Sequence, residues 1–534
     1  MSRPPYKHSP GLYLPALILL GLLVLAPFHD FHPPLASGDN GRDLYAFAQT
    51  RTGALPYRDY SWVYGPLMPY YYALFLQVLG VSIKSVLIGH LLLRMAAGVF
   101  LALILKQAGL SRWGWGAALW FWAFNPRFSY TYSHAGGVAC ILGLIYVCFL
   151  YLNEPKRFHI ITGLLLSFFL GLIKLNIGLA GLAAFSGCVV LIDRFVHKTN
   201  IRAKCLLIRA GLITAGTALV YTGLLSPLPA YAVRQCLPYL APDRASHVAL
   251  PAALFLLVRH YLTPLSKPGP NLIFALIILT AWVRLTQRLF NPVPDDRRGR
   301  KRLFYLAVVL IFWAVYLHEF FISAVPYRLF WVTPLQILLI FLVLGLGFET
   351  LSSKVQTLLR TGLLTIVLVA HLSLYYYIRP FKTSGQYLAS PRGRVYVANS
   401  AEWVATVHET VRFLNTQLAA TETFLALPYD PLYYFLSEKT APVRQLFFHA
   451  YIDMPSLQEK KIISEIEKKN VRYILISNRA HAAIPELGIF GKTYAPLLFQ
   501  YIQSHFELIQ TFGEWKIPGR AFKDHAVRIY KRHE

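Results

Sequence analysis

A membrane-spanning helix needs about 20 consecutive apolar residues, and the first 380 residues come close to that requirement repeatedly. Apolar runs at 11–28, 83–105, 113–126, 136–152, 159–174, 176–192, 206–227, 271–289, 303–322, 329–348 and 361–378 predict about eleven transmembrane helices. Gly65 to Gly80 is shorter, opens with Pro66 and Pro69 and is rich in tyrosine. It predicts a helix lying in the interface, and Val248 to Leu262 predicts another. After Pro380 no apolar run is long enough to span. There the periodicities predict helices over 402–419, 456–469 and 494–505, and strands over 423–427, 472–477 and 526–530. The chain reads as a polytopic α-helical membrane domain, residues 1–380, followed by a C-terminal extracytoplasmic α/β domain, residues 381–534. The first outer loop of the membrane domain, 29–82, carries the juxtamembrane helices.

Composition supports the membrane assignment. The chain is 56% hydrophobic and 14% charged, with a mean hydropathy of +0.46. Both an ordinary soluble domain and a disordered chain are excluded. The net charge of +27, from 52 Lys+Arg against 25 Asp+Glu, would suggest nucleic acid in a soluble protein. Here the basic residues sort along the chain. Lys106 and Arg112, Lys156 and Arg157, Arg194 to Lys204, Arg297 to Arg302, and Lys354 with Arg360 all fall in alternate loops. By the positive-inside rule these loops are cytoplasmic. The N-terminus, with Arg3 and Lys7 before the first run and no small-x-small cleavage site after it, is then an uncleaved cytoplasmic end. The expected location is the cytoplasmic (inner) membrane, with the C-terminal domain outside and no nucleic-acid partner. The five cysteines show no metal-ligand spacing, and no phosphate-binding loop motif is present.

Ionisable groups are costly in a bilayer and tend to face a cavity or a partner. Several are expected at one depth, near the outer face. Asp39 and Asp59 lie in the first outer loop. His90 and Arg94 are on the second span, and Arg127 and His134 flank the loop after the third. Lys174 ends the fifth, His318 and Glu319 end the ninth, and Arg328 opens the tenth. Each also has a purely structural reading. Asp39 can cap a helix, Asp59 can pair with Arg58 in a turn, and His134 can be a satisfied loop histidine. His90 and Arg94 can be packing partners, Lys174 can snorkel, Glu319 can neutralise a base, and Arg328 can meet any lipid phosphate.

The first loop carries the sharpest motifs. It reads Gly38-Asp39-Asn40-Gly41-Arg42-Asp43-Leu44-Tyr45, then Gly53-Ala54-Leu55-Pro56-Tyr57-Arg58-Asp59-Tyr60, then Gly65-Pro66-Leu67. Further on come Gly171-Leu172-Ile173-Lys174 and Ala426-Leu427-Pro428-Tyr429-Asp430-Pro431. The set resembles the C-type (GT-C) glycosyltransferase superfamily, in its protein O-mannosyltransferase-like and aminoarabinose transferase-like branch. Two departures are plain. Members often carry a lysine just before the Pro-Pro-Leu, where this chain reads Val63-Tyr64-Gly65-Pro66. They often have an acidic residue after the third span, where this chain has His134.

The resemblance implies transfer of a sugar from a polyprenyl-phosphate donor to an acceptor hydroxyl on a glycan, lipid or protein, with inversion. It implies Asp39 as the base, with Asp59 orienting the sugar or the loop. Arg328 is the first candidate for the phosphate, ahead of Arg127, Lys174 and Arg94, and His134 and Glu319 complete the expected substrate-binding set. No residue pattern demands a cofactor, and a divalent metal is compatible with the loop. The alternatives are a transporter or flippase of lipid-linked sugars, and a non-catalytic scaffold of the same fold.

Overall fold

The computed structural model describes residues 10–32, 35, 38–124, 132–198, 203–236, 250–262, 297–323, 326–348, 387–397, 400–449, 454–480, 488–517 and 524–533, with isolated positions at 280, 283, 354, 357, 358, 361, 362 and 365. The membrane domain begins with α1 (Pro10–Leu25) and continues with α2 (Gly38–Arg51), α3 (Leu67–Leu79), α4 (Ile83–Gln107) and α5 (Ser111–Phe124). It goes on with α6 (Tyr132–Asn153), α7 (Arg157–Ile173), α8 (Leu175–Ile192), α9 (Ala203–Leu225), α10 (Ala230–Cys236) and α11 (Leu250–Leu262). Its last helices are α12 (Arg297–Tyr316), α13 (His318–Ser323) and α14 (Thr333–Phe348).

Among the described residues, five helices are long and apolar enough to cross a membrane: Ile83–Gln107, Tyr132–Asn153, Leu175–His197, Cys205–Leu225 and Lys301–Phe321. Leu12–Phe28, Leu67–Leu79, Arg157–Ile173 and Thr333–Leu346 are apolar but shorter. The runs expected at 271–289 and 361–378 lie almost wholly outside the described residues, as does Arg127.

The bundle packs around a contiguous apolar core. Leu101, Leu142, Phe185, Phe312, Leu338 and Phe341 are fully buried within it. Residues facing away from it on α9, such as Leu207, Leu212 and Leu219, are apolar and exposed, the arrangement a helix shows when lipid is its solvent.

The C-terminal domain contains α15 (Ala401–Gln417), α16 (Leu432–Leu436), α17 (Ser456–Lys468) and α18 (Pro496–His505). Its main sheet is built from β4 (Phe424–Leu427), β5 (Tyr473–Ser477), β7 (Val527–Arg532) and β6 (Phe506–Phe512), in that spatial order. β4 and β5 are parallel and the other pairings antiparallel. Side chains alternate across a strand, and here the two faces serve different cores. Leu425, Leu427, Ile474 and Ile476 pack under α17 and α18 with Ile462, Ile466, Leu498 and Ile502. Phe424, Ala426, Tyr473, Leu475, Val527 and Ile529 face the other way. Their core includes Trp403, Val407 and Leu414 of α15, but also Leu44, Tyr45 and Phe47 of α2 and Trp62 of the first loop.

The C-terminal domain and the first loop thus share one apolar core. A second sheet makes the same join. β1 (Phe31–His32) from the first loop pairs in parallel with β3 (Gly393–Val397), which pairs antiparallel with β2 (Tyr387–Ser390). Polar contacts add to it. The Ala441 N–H donates to the Tyr45 hydroxyl at 2.8 Å, the Ser61 N–H to the Arg444 carbonyl at 2.8 Å, and Arg444 Nη1 to the Tyr57 carbonyl at 3.0 Å.

Candidate functional site

Helix α2 presents its charged residues at the junction with the C-terminal domain. Asp39, Arg42 and Asp43 are spaced i, i+3, i+4 and therefore lie on one helical face. Asp39 sits in the first turn and Arg51 in the last, the polarity that the helix dipole favours. Arg42 Nη1 donates to Asp39 Oδ1 at 2.8 Å, while Nη2 and Nε donate to Asp43 Oδ1 at 2.7 and 3.1 Å. The C-terminal domain supplies Tyr429, whose hydroxyl donates to Asp39 Oδ1 and accepts from Arg42 Nη1 at 3.2 Å. The guanidinium also lies over the rings of Trp62 and Tyr64, 5.4 and 5.1 Å from their centroids.

The glycines of the loop motif explain how the C-terminal domain comes so close. A Cβ at Gly38 would lie 2.5 Å from the Tyr429 ring, and one at Gly41 would lie 2.5 Å from the Leu432 backbone nitrogen. Only residues without side chains fit these two places.

Exposure separates the two carboxylates. Asp43 is completely buried, whereas the Asp39 side chain is 25% exposed. Burial pushes the Asp43 carboxyl up to about 6 against the pull of Arg42. Burial also opposes charge on Arg42, but Tyr429, Asp43 and Asp39 outweigh it and the guanidinium stays protonated. Burial raises Tyr429 well above the usual phenol range, so it remains a donor.

A second charged cluster lies where α7 meets α8, at the end of the bundle nearest the first loop. Helices α7 and α8 are joined by Lys174 alone, in extended conformation. Its ammonium donates to Glu319 Oε2 at 2.6 Å, and Asn176 Nδ2 donates to Oε1 at 2.5 Å. His318 Nε2 lies 3.8 Å from the same carboxylate, and Arg328 Nη1 lies 3.6 Å from it. Lys174 and Glu319 are buried, whereas Arg328 is 24% exposed. Among the described residues, Lys174 and Arg328 thus flank the same Glu319 carboxylate.

Aromatic rings connect the two clusters. The Tyr64 ring, which lies against Arg42, meets His134 edge-on at 5.1 Å. His134 stacks on Phe330 at 5.0 Å and meets Trp331 at 4.9 Å, and Lys174 lies over Trp331 at 5.5 Å. His134 is within electrostatic range of Lys174, Arg328 and Arg42 alike.

The backbone adds a direct link. The Gly65 N–H donates to the Ile173 carbonyl at 2.8 Å, next to Lys174. A Cβ at Gly65 would lie 2.0 Å from the Leu172 carbonyl oxygen. The Gly65-Pro66-Leu67 and Gly171-to-Lys174 motifs therefore touch.

Asp39, His134, Lys174, Glu319 and Arg328 are thus brought into one continuous set of contacts. Asp59 and Arg94 are not part of it. Asp59 takes Arg58 Nε and Nη2, both at 2.8 Å, and the Leu55 N–H at 2.7 Å. Arg58 holds this half-exposed carboxyl below the usual range. Arg94 is buried between α4 and α5, where it donates to the Trp122 carbonyl and Trp122 Nε1 donates back to its own carbonyl, both at 3.1 Å. Arg42, Asp43 and Tyr429 were quoted within sequence motifs without being assigned a role. The i, i+3, i+4 spacing was the available signal for the first two. Among the described residues no three His, Cys, Asp or Glu side chains gather as a metal site.

No family model matches the chain. No curated protein matches it either. Solved structures do. The fold is the one seen in the ArnT structures, in keeping with the fold expected from the loop motifs. The particular structures are ArnT from Cupriavidus metallidurans in the apo state and bound to undecaprenyl phosphate. The apo structure aligns with a TM-score of 0.55 at 10% identity, over 97% of both chains. The bound structure aligns with a TM-score of 0.54 at 10% identity, over 98% of both. The archaeal oligosaccharyltransferase AglB from Archaeoglobus fulgidus, in complex with an inhibitory peptide and a dolichol-phosphate, aligns less well. Its TM-score is 0.48 at 12% identity, over 88% of this chain and 70% of that one.

Proposed function

We propose that this chain is a membrane glycosyltransferase that moves a sugar from a polyprenyl-phosphate donor to an acceptor hydroxyl at the outer face of the cytoplasmic membrane. The N-terminus is then cytoplasmic and the C-terminal domain extracytoplasmic. One observation carries the reading. A partly exposed carboxylate, Asp39, is joined through Tyr64 and His134 to the cations Lys174 and Arg328 at the outer end of the bundle.

The chemistry follows from that pairing. Asp39 takes the proton of the acceptor hydroxyl. The hydroxyl oxygen forms its bond to the anomeric carbon as the bond from that carbon to the phosphate oxygen breaks, inverting the centre. The phosphate leaves with the electron pair, and its charge is met by Arg328 and Lys174. Arg suits this position because its planar fork can grip a phosphate at two oxygens. Asp43 is too buried to meet an acceptor and serves Arg42 instead. Asp59 holds the shape of the loop.

The test is Asp39→Asn in membranes supplied with polyprenyl-phosphate-linked sugars. Transfer should fall about 10²- to 10⁴-fold with expression retained. Unchanged transfer removes Asp39 from the role. Inactivity of the wild-type chain with every such donor, together with movement of the donor across vesicles, favours a flippase instead.

A further inference from the structure

We propose that Tyr429, carried by the outer domain, positions the Asp39 carboxylate for proton transfer, so that the outer domain is part of the catalytic centre rather than a cover over it. The inference rests on Asp39 being the base of the proposed transfer. Its starting point is how the two carboxylate oxygens are used. Oδ1 receives both Arg42 Nη1 and the Tyr429 hydroxyl. Among the described residues Oδ2 receives no hydrogen bond, and the side chain is 25% exposed. With Oδ1 held by two donors, Oδ2 is the oxygen presented to an acceptor.

The second part of the argument is rigidity. A positioning donor works only if it cannot drift. Tyr429 is the second residue after β4, in a segment fixed on several sides. The Phe448 N–H donates to the Pro428 carbonyl at 2.9 Å. Asp430 accepts from Ser477 at 2.5 Å and from Arg479 at 3.0 Å. The Tyr429 ring packs against Phe447 at 5.6 Å on one side and against the bare Cα of Gly38 on the other. Arg42 donates to the phenol oxygen at 3.2 Å, closing a triangle of Asp39, Arg42 and Tyr429. A structural tyrosine at a domain junction needs only its ring. Here the hydroxyl is aimed at the one carboxylate of α2 that remains accessible.

The experiment compares Tyr429→Phe, which removes one oxygen, with Gly38→Ala, which keeps the hydroxyl but drives a methyl into the ring. Both are assayed with a polyprenyl-phosphate sugar, and both are checked by thermal unfolding of the purified protein. Tyr429→Phe should lower kcat about ten- to a hundredfold. Its donor KM should stay within about twofold, and it should remain fully folded at the assay temperature even though the lost hydrogen bonds lower its unfolding temperature. Gly38→Ala should lower kcat in the same way, at an assay temperature where it too is folded. A folded Tyr429→Phe enzyme with wild-type kcat overturns the proposal, as does a loss of activity that only follows the unfolded fraction. A fully active Gly38→Ala enzyme also overturns it. Asp39→Asn separates this from failure of the underlying reading. An active Asp39→Asn enzyme refutes the base itself, whereas an inactive one beside a fully active Tyr429→Phe enzyme refutes only the role of Tyr429.

Discussion

Gly65→Ala is the substitution that most directly probes how the two halves of the site are held together. Its methyl would lie 2.0 Å from the Leu172 carbonyl oxygen and 2.3 Å from the carbonyl carbon. These are backbone atoms at the end of α7 and cannot rotate away. The loop has to move, and the 2.8 Å hydrogen bond from Gly65 N–H to the Ile173 carbonyl is lost with it. Overpacking a well-packed site costs about 1–3 kcal/mol, and the lost hydrogen bond adds about 1 kcal/mol. The expected loss of stability is about 2–4 kcal/mol. The effect on activity should be larger than that figure suggests. Tyr64, the residue before Gly65, touches both Arg42 and His134, and Lys174 follows Ile173. Shifting one against the other misaligns the carboxylate with the cations, and a displacement of about 1 Å can cost a hundredfold in rate. The assay is thermal unfolding of the purified protein together with transfer from a polyprenyl-phosphate sugar. Gly187→Ala is the control. Gly187 lies within α8, and a Cβ there would meet nothing within 4 Å. Replacing a helical glycine by alanine should stabilise by up to about 1 kcal/mol. A Gly65→Ala protein as stable and active as the Gly187→Ala control would refute the reasoning.

Glu319→Gln removes the anion that Lys174 and Arg328 share and should lower the unfolding temperature, since leaving a buried partner uncompensated costs about 3–5 kcal/mol. Added polyprenyl phosphate should restore more stability to this variant than to the wild type, because the phosphate replaces the lost charge; an equal ligand effect on both would refute a phosphate role for the pair. In the C-terminal domain, burial lowers His525 from 6.5 to about 4. The unfolded chain therefore binds the proton first, so this contribution is whole above about pH 6.5 and is lost as pH falls through about 4, by up to about 3 kcal/mol. Unfolding measured from pH 7 to pH 4 should show a steeper loss in the wild type than in His525→Asn, and identical slopes would rule it out.

What could be read from the chain depended on the range of the interaction. Hydrophobic runs placed the bundle helices to within a few residues, because burial in lipid or in a core is a property of a segment. The continuous apolar run of β5 and the alternating charges of α17 were legible for the same reason. The two-residue strand Phe31–His32 was not, since two residues cannot display a period of two. Tyr429 was not legible as a partner of Asp39 because 390 positions separate them, and nothing local to either marks the contact. Lys174 and Glu319, 145 positions apart, could be placed at a common depth but not paired. The resemblance put Arg328 ahead of Arg94, but residue type alone could not say why. Their surroundings divide them, since Arg94 is enclosed by α5 whereas Arg328 keeps an exposed edge.

Tyr64 shows how the departure from the expected loop motif is accommodated. It stands in the stretch where the resembled family often carries a lysine, and a phenol ring brings no positive charge to a phosphate. The ring instead lies between Arg42 and His134, at 5.1 Å from each, and so forms the wall between the carboxylate and the cationic cluster. Arg42 cannot take over the missing lysine's role, because its three donor nitrogens are already turned toward Asp39 and Asp43. On the proposed reading the phosphate is then met from the bundle side alone, by Lys174 at the α7–α8 turn and by Arg328. The acceptor approaches from the loop side, where Asp39 and the outer domain stand. A division of that kind requires the loop and the α7–α8 turn to keep a fixed separation, which is the task of the glycine contact at Gly65.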